Sequence, residues 1–134
     1  MESNQSEFKL DSLATFPLDS LRELLFRVTR MASESDCLKS KPIRWFIGLF
    51  NDEAHRRLAS HDGELMEQGM VSYPMTFEWT TRELRDFVAI MTTLSYSTLD
   101  AAQAKFVDGA LWYAISETFA RCQMFESKGL QNVA

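Results

Sequence analysis

The chain has 134 residues, 46% of them hydrophobic and 25% charged, with a formal net charge of −5. This length suits one domain around a single core, and the apolar share excludes a natively disordered chain. The acidic balance disfavours a general nucleic-acid-coating role, which needs clustered Lys and Arg to displace counterions.

Residues 1–14 are polar, with Phe8, Leu10 and Leu13 isolated among them. The first few are expected to be mobile and the later ones to dock on the body. From Pro17, residues Leu18, Leu21, Leu24, Leu25, Val28 and Met31 recur at helical spacing and predict a first helix over about 17–33. Its outer face carries Arg22, Phe26, Arg27 and Arg30, an aromatic among arginines, which is a composition favoured where proteins meet. Because the core stripe is complete without Phe26, these four residues are the expected contact with a protein partner.

Ser40 before Pro42 predicts the next helix start. Ile43, Phe46, Ile47 and Phe50 form one face, Asn51-Asp52 marks a break or kink, and Asp62-Gly63 marks a stop. Lys39, Lys41 and Arg44 lead into Trp45, a basic and aromatic set that an anionic ligand at a helix N-terminus would use. Asp52, Glu53, His55, His61, Asp62, Glu64 and Glu67 cluster in sequence but contain no Glu-x-x-His pair, so they read as a solvated acidic face.

A short turn is expected over Glu64–Gln68. Residues 70–79 then alternate, with Met75, Phe77 and Trp79 separated by Thr76 and Glu78. That pattern predicts an extended arm between two helical halves, and Pro74 keeps it off a central strand. Trp79-Thr80-Thr81-Arg82-Glu83-Leu84 carries a capping box, Thr80 with Glu83, inside a hydrophobic staple, Trp79 with Leu84. It opens a third helix over about 81–95 with Leu84, Phe87, Val88, Met91 and Leu94 inward.

The fourth helix is expected over about 98–127, starting at Ser97-Thr98-Leu99-Asp100 and ending before Gly129, with 128–134 a short tail. Seventeen of its twenty-seven residues from 99 to 125 are apolar, so neighbours must cover it on most sides. Either it is the central helix of the bundle, or a second copy of the chain completes one of its faces. The face offered to that copy, or to a pocket, is Tyr73, Met75 and Phe77 of the arm with Phe106, Tyr113, Glu117 and Arg121 of the helix.

The expected fold is therefore all-α, a compact bundle of four or five helices with one short extended segment. Cys37 and Cys122 show no metal or redox spacing, and no phosphate loop or nucleophile elbow appears, so the sequence calls for no cofactor and no catalytic residue. The N-terminus lacks the pattern of a secretory signal and no run is long enough for a membrane span, so a cytoplasmic setting is expected. The functional expectation is a small acidic regulator or inhibitor that docks onto a larger protein as a homodimer. Two other readings stand beside it: a helical nucleic-acid-binding regulator, or an acidic inhibitor that competes with nucleic acid for a basic groove. A small helical enzyme or ligand-binding bundle ranks below these.

Overall fold

The computed structural model describes residues 12–61 and 78–133, with side chains as far as 127. A single 3₁₀ turn, Leu13–Thr15, precedes four helices: α1 (Leu18–Glu34), α2 (Lys41–His61), α3 (Thr81–Ser95) and α4 (Ala101–Val133). The all-α bundle expected from the sequence is the fold observed, with no strand among the described residues. None of the described helices is long and apolar enough to cross a membrane. The expected turn at 64–68 and residues 70–77 of the arm lie outside the described residues.

Contacts at the helix ends fix the topology. The Lys41 backbone N–H at the start of α2 donates to Glu83 at the start of α3, whereas Ser20 near the start of α1 bonds Asp100, which precedes α4. Helices α2 and α3 therefore run parallel, with α1 and α4 in the opposite sense, and α3 and α4 share the most extensive contact in the bundle.

Each boundary has a local cause. Asp36 closes α1 in the left-handed region, φ 55°, where Asp is one of the few tolerated side chains. The Cys37 N–H then reaches Ala32 O at 2.8 Å and the Asp36 N–H reaches Ser33 O at 3.1 Å, the two bonds of a Schellman stop. At α3 the expected capping box is present: Thr80 Oγ1 accepts from the Glu83 N–H at 3.0 Å, and Glu83 Oε1 accepts from the Thr80 N–H at 2.9 Å. A second box opens α4, where Asp100 and Gln103 exchange bonds of 2.8 and 3.0 Å. The start is thus Asp100 rather than Ser97 or Thr98.

Several expectations need correction. Leu18 is 64% exposed and not part of the core stripe, because it occupies the first helical position, beyond the reach of the facing helices. Ser40 does not cap α2: its buried Oγ has no hydrogen-bond partner among the described residues, and the Glu83 carboxylate receives the Lys41 N–H instead. Asn51 and Asp52 face solvent and α2 continues through them to His61. Helix α4 does not stop before Gly129 but continues to Val133, so 128–133 is helix rather than tail.

The core is a run of aromatic rings. Phe46 lies 5.4 Å from Phe106 and 5.8 Å from Phe87, centroid to centroid, and Phe50 meets Phe106 edge-on at 5.7 Å. Phe16, just after the 3₁₀ turn, adds a further edge contact to Phe106 at 5.9 Å. Tilted and edge-to-face pairs at these separations contribute beyond their buried area.

Candidate interaction surfaces

The outer face of α1 presents Phe26 as expected, 71% exposed, but its arginines are not equivalent. Arg22 sits 3.4 Å from Asp19 and Arg30 3.5 Å from Glu34, in exposed pairs one turn apart. Such pairs contribute little to stability and release their charge readily to a partner. Arg27 is different. Its Nη1 donates to Thr98 O at 2.7 Å and its Nη2 lies 3.7 Å from Glu23, so it ties α1 to the α3–α4 connection. Arg27 thus belongs to the fold, and Arg22, Phe26 and Arg30 remain as the surface.

The basic and aromatic set before α2 is also divided by the structure. Lys39 and Arg44 are exposed, but Lys41 Nζ reaches Glu78 O at 3.4 Å beside Glu83. Hydrogen bonds from the Thr80 and then the Lys41 backbone N–H hold the Glu83 carboxyl below its ordinary range, so a carboxylate of the chain itself already occupies the N-terminal end of α2. Trp45 corrects the expectation that it faces a ligand. Its ring packs against Trp79 at 5.9 Å, Phe87 at 6.1 Å and Tyr113 at 6.3 Å.

Of the face assigned to a second copy or a pocket, Tyr73, Met75 and Phe77 lie outside the described residues. Phe106 is fully buried in the ring core, because α4 turns that side toward α2, and it cannot meet another chain. Tyr113 joins the Trp45 cluster. Arg121 bonds Glu117 at 2.9 Å and Trp79 O at 2.7 Å, clasping α4 to the start of α3. Those four residues therefore hold the bundle together.

The apolar surface of α4 lies further along. From 118 to 127 every residue except Arg121 is exposed, including Phe119 at 66%, Phe125 at 59%, Met124 and Cys122. The cause is length: α3 has 15 residues and α4 has 33, and the Arg121 clasp marks where α3 begins. The sequence carried this signal in the unequal spans of its last two helices.

Within the acidic cluster, Glu53 points inward while Asp52 and His55 stay exposed. Glu53 accepts from Arg56 at 2.8 and 3.1 Å and from Arg57 at 2.7 Å. Burial alone would raise its pKa, but the hydrogen bonds and charges of the two arginines outweigh that and lower it. Arg57 Nη2 continues to Phe16 O at 2.7 Å and Leu13 O at 3.1 Å, pinning the 3₁₀ turn to α2. The residue read as part of a solvated face is thus the hub of a structural joint. Cys37 is buried, and burial, then Asp86 and Asp36, push its thiol pKa up, which leaves it a poor nucleophile.

No protein-family model, curated protein or solved structure matches the chain.

Proposed function

We propose that this protein is a small interaction module that regulates a larger protein by docking onto it, acting as a homodimer, with the outer face of α1 as the docking surface. The observation that carries this reading is Phe26, a large ring held in solvent on a rigid helix between Arg22 and Arg30. An exposed aromatic flanked by guanidinium groups combines ring burial with charge-assisted bonds to carboxylates, the pairing that dominates many interface energies. An acidic partner groove with an apolar slot fits this face.

The test is affinity capture from the native host with the wild-type chain and two variants in parallel. A partner bound through this face is lost, or weakened by at least about fivefold, in Phe26→Ala and Arg22→Glu while their melting curves match the wild type. A partner retained equally by both variants places the docking surface elsewhere.

A further inference from the structure

Phe119, Cys122 and Phe125 follow one another at three-residue steps on the exposed end of α4. Three residues fall about 60° short of a full turn, so this stripe sweeps roughly 120° of the helix surface with Cys122 at its middle. It reads the same in both directions: a phenylalanine three residues before the cysteine and a phenylalanine three residues after it. A two-fold axis requires a patch to be complementary to itself, and this one is.

We propose that a second copy of the chain covers this stripe, the two α4 ends crossing antiparallel about a two-fold axis beside Cys122. The proposal rests on the homodimer in the reading above and specifies its interface. In this register Phe119 of each copy faces Phe125 of the other, and the two Cys122 side chains meet at the axis. Charge favours it over the parallel arrangement, which would bring the two Glu126 carboxylates together; the antiparallel one places Glu126 opposite Thr118. It also leaves the two bundles at opposite ends of the shared helix pair.

The two rings supply part of the area a dimer needs. An aromatic side chain presents about 200 Å² in full, so Phe119 at 66% and Phe125 at 59% exposure offer roughly 250 Å² per copy. That is about a third of the 800 Å² per partner that a specific interface buries. The surrounding exposed turns, 118–127, supply further area, and no described element of the chain lies over them.

The register makes a chemical prediction. Packed helices have axes about 8–10 Å apart, and each Cα stands about 2.3 Å off its axis. Facing Cα atoms therefore approach to about 3.4–5.4 Å, a range whose wider half falls within the span of a disulfide. Cys37 is buried, so covalent linkage of folded chains reports on Cys122.

The experiment uses the full chain. Light scattering in reducing buffer at tens of micromolar should give twice the 15.4 kDa chain mass. Phe119→Glu and Phe125→Glu should each return one chain mass with an unchanged circular dichroism spectrum, and either suffices if the other fails to fold. Diamide, which takes up two electrons and two protons as two thiols become one disulfide, should link wild-type chains in pairs. It should not link Cys122→Ser, and should link Phe119→Glu at least tenfold more slowly. A two-chain mass that survives both glutamate substitutions, or that diamide does not link, overturns this interface while leaving the homodimer standing. A single-chain mass throughout overturns the homodimer itself, while the Phe26 contact is judged separately by its own capture test.

Discussion

Phe106 and Phe119 stand on one continuous helix and are the same residue type, yet the first is sealed from solvent and the second is 66% exposed. Thirteen residues apart, they point about 140° away from each other, and Phe119 continues the face on which Trp112, 49% exposed, already meets solvent. The neighbourhood differs as well: α2, α3 and the 3₁₀ turn close around the first half of α4, and the Arg121 clasp to Trp79 O marks the start of α3, beyond which α4 runs on alone. The burial of a side chain is set here by two things together, the direction it takes from the helix and how far the neighbours on that side extend.

Substitution should separate the two halves sharply. Phe106→Ala removes a ring that touches Phe16, Phe46 and Phe50, and the resulting cavity should cost about 3–5 kcal/mol in a denaturant melt. A cost below about 1 kcal/mol would mean that the ring core can collapse around the loss, and the contrast between the halves would weaken.

The next effect comes from the joint that closes the bundle at the 3₁₀ turn. Glu53→Gln leaves Arg56 and Arg57 without their shared carboxylate, and should cost about 2–3 kcal/mol, less than for a fully buried pair because both arginines keep some contact with water. The joint also predicts a pH response. Because the Glu53 pKa is lowered on folding from its ordinary value near 4.5, its contribution is present above that value and lost as pH falls through the folded-state pKa. Thermal melts from pH 7 to pH 3 should therefore show wild type losing stability in the acid range, with a shallower loss in Glu53→Gln.

These joints differ in how far the sequence revealed them. The Thr80–Glu83 box was legible because both partners lie within one turn and the bonds are local. The Asp100–Gln103 box is equally local, but Ser97 and Thr98, good caps themselves, stand just before it and blur which residue opens the helix. Arg56 and Arg57, at three and four residues from Glu53, were the visible sign that its carboxylate had partners. The reach of Arg57 to Leu13 and Phe16 is tertiary and left no local trace. Helical spacing likewise picked out Phe26 as an outward residue, but assigned Leu18 and Phe106 wrongly, because a wheel shows which way a residue faces and not whether anything stands there.

A smaller effect tests the shared cap. Thr80→Ala removes one acceptor at the start of α3 and should cost about 0.5–2 kcal/mol. Glu83→Ala removes the acceptor for both the Thr80 and the Lys41 N–H, so its cost should exceed that of Thr80→Ala when both are measured by urea melts. If the two are equal, the bond to α2 adds nothing, and the two helices are not joined through this carboxylate.

The smallest expected effect is at the far end of α4, and it sharpens the comparison most. Phe119→Ala removes a ring of the same size as Phe106, but in the isolated chain that ring is mostly in water already, so little transfer energy is lost and no cavity forms. Alanine is also the better helix former by a few tenths of a kcal/mol. The stability of the variant, melted at submicromolar concentration where self-association is diluted out, should lie within about 0.5 kcal/mol of wild type and on the stabilising side if it moves at all. At tens of micromolar the wild type should gain stability from association while Phe119→Ala should not, because anything that binds only the folded state raises its apparent stability with concentration. A loss of 2 kcal/mol or more at the low concentration would show that Phe119 is packed within its own chain, and the contrast between the two halves of α4 would then have to be abandoned.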